Sequence, residues 1–80
     1  MTIELRLFAA LRDYLPPDSA SPVVRLDVSP GTTIAAVLAR LNIPPAEVGL
    51  TIVNGSYVGN REQRLEDGAV LSVWSHVAGG

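Results

Sequence analysis

Eighty residues hold one small domain, because chains divide at roughly one domain per 100 to 200 residues. With 48% hydrophobic and 18% charged residues the chain has the composition of a folding globular protein, and a net charge of -2 argues against nucleic acid as its main partner. Zero cysteines exclude a disulfide framework, a zinc-thiolate site, an iron-sulfur cluster and a protein-bound persulfide, and the absence of lysine removes a Walker-type phosphate grip and Schiff-base chemistry. Charges in Met1–Arg6 interrupt what a signal peptide would need as an apolar run, and no stretch approaches the roughly 18 apolar residues of a spanning helix. A cytoplasmic location with no membrane partner is therefore expected.

Ile3, Leu5 and Leu7 alternate with Glu4, Arg6 and Phe8, the period-two signature of a strand with two different faces. Val24, Leu26 and Val28 alternate with Arg25 and Asp27 in a second strand. Pro16-Pro17-Asp18 and Ser21-Pro22 bracket the connection, so an antiparallel return is expected. Ser29-Pro30-Gly31 stops that strand. Thr32 is placed to cap a helix whose Ile34, Val37, Leu38 and Leu41 form one apolar stripe, with Asn42 and Pro44-Pro45 ending it. Leu50–Val53 and Ser56–Val58 flank Asn54-Gly55, the strongest two-residue hairpin signal, since both central positions need positive φ. Gly59–Glu66 is polar and reads as loop, Asp67-Gly68 as a turn, and Ala69–Ser75 as the last strand. The expected fold class is α+β, with one main helix packed on one face of a small mixed sheet. Residues 1–75 form the domain, and 76–80 a flexible carboxyl-terminal tail ending in Gly-Gly.

Enzymatic constellations are scarce. His76 adjoins Ser75, but strand neighbours point to opposite faces, so a solvated strand-end histidine is favoured over a Ser-His pair. Glu66 and Asp67 precede Gly68 at a turn, where local backbone hydrogen bonding explains an Asp better than acid-base work does. Gly79-Gly80 has more to offer. Two residues without Cβ can thread a narrow channel and leave a terminal carbonyl unhindered, and from His76 to Gly80 an extended segment spans at most about 17 Å. A frayed small-residue terminus is the plainer reading of the two glycines alone.

The chain resembles the MoaD/ThiS family of ubiquitin-like sulfur carriers, most of all the small subunit of molybdopterin synthase. The likeness rests on Leu7-Phe8-Ala9-Ala10-Leu11-Arg12-Asp13, Val53-Asn54-Gly55, and Leu65-Glu66-Asp67-Gly68-Ala69-Val70-Leu71 leading into Val77-Ala78-Gly79-Gly80. It departs from the molybdopterin branch in carrying Ser75-His76 where a Pro-Pro pair is usual. The resemblance implies a β-grasp fold with the first and last strands side by side in the middle of the sheet. Leu5, Leu7, Leu71 and Val73 then face the helix, while Phe8, Ser72 and Trp74 face away.

It further implies that a ubiquitin-activating-like adenylyltransferase, using ATP that the chain itself does not hold, converts the Gly80 carboxylate into an acyl adenylate. A sulfur donor then leaves a thiocarboxylate there, with Gly79 keeping the approach slender. The implied acceptor is the large subunit of molybdopterin synthase or an equivalent enzyme. The chain is expected to be a carrier or small subunit without stand-alone activity, binding no cofactor or metal itself. Phe8 and Trp74 are expected to form an apolar docking patch beside the tail, with His76, Val77 and Ala78 also touching partners. Sulfur carriage for thiamine or amino-acid synthesis, covalent protein modification through Gly80, and a plain interaction domain stand as alternatives.

Overall fold

The computed structural model describes residues 1–16 and 21–76; Pro17, Asp18 and the segment Val77, Ala78, Gly79 and Gly80 lie outside the described residues. The strands are β1 (Thr2–Phe8), β2 (Val23–Asp27), β3 (Val48–Val53), β4 (Ser56–Tyr57) and β5 (Val70–Ser75), with one α-helix, α1 (Ile34–Arg40), between β2 and β3. They form one five-stranded sheet in the order β2-β1-β5-β3-β4. β1 and β5 are parallel at its centre, with Leu7 opposite Val73, and the β1–β2, β3–β5 and β3–β4 pairs are antiparallel. The mixed sheet and the antiparallel return of β2 are as expected from the alternation and the bracketing prolines.

Alternation decides which face is covered. Ile3, Leu5 and Leu7 of β1 and Leu71 and Val73 of β5 are buried, and Ile34, Val37 and Leu38 of α1 close over them. Burying side chains of this size contributes about 1.5–3 kcal/mol each, which fixes the register because a one-residue slip would turn the whole row to solvent. Among the described residues, no buried side-chain nitrogen or oxygen lacks a partner.

The helix begins one residue later than the capping expectation. Thr33, not Thr32, is the N-cap, its Oγ1 accepting from the Ala36 N–H at 3.1 Å. The Thr32 hydroxyl instead donates to the Ser29 carbonyl at 2.6 Å, closing the turn through Pro30-Gly31. The other free N–H groups of the first turn are satisfied by the polar segment after β4. The Gln63 carbonyl accepts from Ile34 N–H at 3.1 Å and the Arg61 carbonyl from Ala35 N–H at 2.8 Å. Asn42 follows the helix at φ 60, the left-handed stop its side chain tolerates.

Two elements go beyond the sequence expectations. A 3-10 helix over Ala9–Tyr14 buries Leu11 completely, and a shorter one spans Pro45–Glu47. The segment read as polar loop also carries buried Leu65, which plugs the core from beside α1. Asn54 (φ 50) and Gly55 (φ 85) make the hairpin turn as expected, and the Asn54 side chain adds an anchor by accepting the Val70 N–H at 2.8 Å.

Candidate functional site

The face of the sheet turned away from α1 carries the side chains that the core rejects. Phe8 and Trp74 lie opposite one another on the parallel β1–β5 pair, and their rings stack with centroids 4.3 Å apart and planes inclined by 12°. Leu50 of β3 lies beside Trp74 in the ladder, so the stack continues sideways into aliphatic surface. One step along, Ser72 sits between Arg6 and Ile52 and is 9% exposed, with Tyr57 next to Ile52 at the margin. Arg6 reaches back to Glu4 at 2.6 Å, so the far end of the face is charged. The face thus grades from an ion pair at one end to a half-buried aromatic pair at the end where β5 finishes.

That end is narrow. The β3–β5 ladder shifts register between Val48, opposite Ser75, and Leu50, opposite Trp74, leaving Gly49 as an extra residue in a bulge. A Cβ on Gly49 would come within 2.9 Å of the Ser75 carbonyl oxygen and 3.0 Å of the His76 nitrogen, so only glycine fits there without a shift. On the other flank, the Ala10 N–H donates to the Ser75 Oγ at 3.3 Å. Tyr14, at the end of the same 3-10 helix, donates its hydroxyl to Glu47 Oε2 at 2.6 Å. That hydrogen bond to a carboxylate holds the Tyr14 phenol above its ordinary range, with desolvation and the negative charges of Glu47 and Asp13 adding to it.

Of the expected site residues, Phe8 and Trp74 are brought together on the open face, and His76 is exposed immediately after β5. Val77, Ala78, Gly79 and Gly80 lie outside the described residues. The Ser75 hydroxyl is engaged by Ala10, and Asp67 has a structural task, its Oδ1 accepting the Thr2 N–H at 2.9 Å beside Gly68 at φ 80. Among the described residues no group of His, Asp or Glu is placed to hold a metal ion, and no helix is long and apolar enough to cross a membrane. The bulge at Gly49 was not anticipated from the sequence, although an isolated glycine within the apolar run Val48-Gly49-Leu50 was the available signal, since it marks a bulge or a close backbone approach.

A five-stranded mixed sheet with parallel central strands, covered on one face by the one α-helix among the described residues, is the β-grasp of ubiquitin-like proteins. The same fold runs through the HVO 2177 protein of Haloferax volcanii (26% identity, all of this chain and 87% of that one, TM-score 0.79). Small archaeal modifier protein 1 of that organism shares it too (21% identity, 95% and 98% coverage, TM-score 0.70). So does one chain of the complex of subunits 1 and 2 of the molybdopterin-converting factor of Helicobacter pylori (20% identity, 100% of this chain and 100% of that one, TM-score 0.63). The chain belongs to the Mut7-C ubiquitin family, whose model matches residues 1–78. The match stops before Gly79 and Gly80, and no curated protein matches the chain.

Proposed function

We propose that the chain is a ubiquitin-like sulfur carrier that works through Gly80 and docks its partners on the face bearing Phe8 and Trp74. The observation that carries this reading is that the aromatic stack joins Phe8 at the end of β1 to Trp74 near the end of β5, the last described strand and the one that leads into residues 77–80. A partner held on the stack has that segment within reach, since four extended residues span about 14 Å. Residues 1–75 serve as the recognition domain and 76–80 as the tail that enters the partner.

The chemistry is that of activating a carboxylate. An oxygen of the Gly80 carboxylate attacks the α-phosphorus of ATP on a ubiquitin-activating-like adenylyltransferase, pyrophosphate leaves, and the acyl adenylate forms. Sulfur at the sulfide level from a donor then attacks the carbonyl carbon, AMP leaves, and a thiocarboxylate remains. The reaction classes that could consume it include dithiolene formation in molybdopterin biosynthesis, with a large synthase subunit as acceptor. The neighbour solved as a complex of subunits 1 and 2 of a molybdopterin-converting factor supports that acceptor. The adenylyltransferase supplies the ATP site and the catalysis; the chain supplies recognition and the reacting carboxylate.

A second reading, covalent modification of other proteins through Gly80, is supported by the likeness to small archaeal modifier protein 1. It shares the adenylation step and differs in the nucleophile, an amine in place of sulfide. ATP–pyrophosphate exchange on the cognate adenylyltransferase tests the shared step. Exchange should require the chain and vanish when Gly80 is deleted; exchange that survives the deletion contradicts the assignment.

A further inference from the structure

The two edges of the sheet differ. β4 is two residues long, whereas β2 pairs with β1 over five residues and closes the sheet on the other side. Met1 and Val28 exchange both main-chain hydrogen bonds, at 2.9 and 2.8 Å, which sets the phase of the β1–β2 ladder. Val24 and Leu26 therefore turn their N–H and C=O groups to β1, and those of Arg25 and Asp27 point outward. Among the described residues the Arg40 guanidinium donates to the Asp27 carbonyl, which keeps a second lone pair. The side chains divide in the same way. Val24, Leu26 and Val28 are half-buried on the α1 side, while Arg25 and Asp27 are exposed on the open face. Glu4, opposite Arg25 in the ladder, is taken by Arg6 at 2.6 Å, so among the described residues Arg25 has no ion-pair partner. Asp27 accepts the Thr2 hydroxyl on Oδ1, which leaves its Oδ2.

We infer that the β2 edge is a self-recognition surface, on which a second copy of the chain lays its own β2 antiparallel in the register centred on Leu26. A two-fold axis normal to the sheet then sets Arg25 of each copy opposite Asp27 of the other. Each such pair exchanges two main-chain hydrogen bonds and places opposite charges side by side. On the α1 side Leu26 meets Leu26 and Val24 meets Val28, so the exposed flanks of three half-buried residues are covered. Neighbouring two-fold registers lose this match. Centring on Arg25 or on Asp27 sets like charges against each other, and centring on Val24 sets each Arg25 against Val23. The pairing closes on itself, because both copies spend β2 and the two-residue β4 offers little to extend the sheet. It also leaves the Phe8–Trp74 stacks open, since the paired residues lie beside Thr2–Glu4, at the end of β1 away from Phe8. A dimer thus presents two docking faces on one side of a continuous sheet. Strands this short bury less than roughly 1,200 Å², which makes the association weak, with a Kd on the order of 0.1 mM.

Sedimentation equilibrium and amide exchange on the full chain, from about 0.02 to about 2 mM, test this. The wild type should pass from monomer to dimer. Exchange at Arg25 and Asp27 should slow as concentration rises, while that of Leu26, already bonded to β1, stays constant. Arg25→Asp and Asp27→Arg should each raise the Kd by about 10-fold or more, because like charges then face one another twice. An equimolar mixture of the two variants should restore dimerisation, since every Asp then meets an Arg, and so should the double exchange in one chain. Overturning results are a wild type that stays monomeric at about 2 mM, a dimer that forms with Arg25 and Asp27 exchange unchanged, or single variants that associate as the wild type does. A mixture no better than its components also overturns the pairing, because the losses then belong to the monomer. If a single variant fails to fold, the concentration dependence of Arg25 exchange in the wild type decides alone.

Discussion

Replacing Trp74 by Ala tests the division of the sheet into a core face and a docking face. Trp74 is half-buried and on the side away from α1, so its removal leaves Leu5, Leu7, Leu71 and Val73 packed as before. The loss comprises the stack on Phe8, about 0.5–1.5 kcal/mol, and strand preference of up to about 1 kcal/mol, together about 0.5–2.5 kcal/mol. A domain of this length has about 4–12 kcal/mol of stability, so the variant should stay folded with a melting temperature lower by about 2–20 °C. Leu71→Ala on the same strand faces the core and should cost about 2–5 kcal/mol, because it leaves a cavity under the helix. Urea unfolding of the two variants and of Phe8→Ala gives the comparison, and a double-mutant cycle should return a Phe8–Trp74 coupling of about 0.5–1.5 kcal/mol. Binding to a partner should meanwhile weaken by about 2 kcal/mol or more in Trp74→Ala. A destabilisation equal to that of Leu71→Ala, or a folded variant that binds partners undiminished, would refute the reasoning.

Asn54→Ala should destabilise by about 2–3 kcal/mol through the positive-φ penalty and the lost bond to Val70, whereas Asn54→Gly should cost only about 1 kcal/mol; equal losses in urea titrations would contradict this. Thr33→Ala should cost about 1 kcal/mol and speed amide exchange at Ala36, while Thr32→Ala should leave that amide protected. Because the Tyr14 phenol titrates above its unfolded value of 10.0, its contribution to stability is fully present below that pH and is lost as pH rises through the folded value. Thermal unfolding across alkaline pH should show this loss in the wild type and not in Tyr14→Phe, and identical profiles would show that the Glu47 bond is not formed in solution.

The β1 face assignments were legible because Ile3, Leu5 and Leu7 alternate strictly with Glu4, Arg6 and Phe8, and only one face of the sheet is covered. Asn54-Gly55 was legible for a different reason, since few residues tolerate positive φ twice in succession. The meeting of Phe8 with Trp74 needed more than period, because parallel pairing of the first and last strands is a long-range choice; it came from the family resemblance. The 3-10 helix of Ala9–Tyr14 left no periodic trace, as Leu11 is its one buried side chain. The polar segment Gly59–Glu66 is loop as read, but its ties to α1 were not legible: carbonyls of Arg61 and Gln63 accept helix N–H groups, and polarity of side chains does not report that. Thr32 and Thr33 are equally good caps by type, and the Pro30-Gly31 turn, by engaging the Thr32 hydroxyl, decides between them. Gly49 was visible as an isolated glycine, but its role depends on which strand lies opposite.

The central claim, that Gly80 carries the transferable sulfur, is tested most directly by intact mass spectrometry after incubation with the cognate adenylyltransferase, ATP and a sulfide-level donor. The expected product is heavier by the exchange of one oxygen for one sulfur, with the change on the carboxyl-terminal peptide and absent from a variant extended by one bulky residue beyond Gly80. An unchanged mass with a competent partner, or adducts joining Gly80 to other proteins in place of the thiocarboxylate, would contradict sulfur carriage.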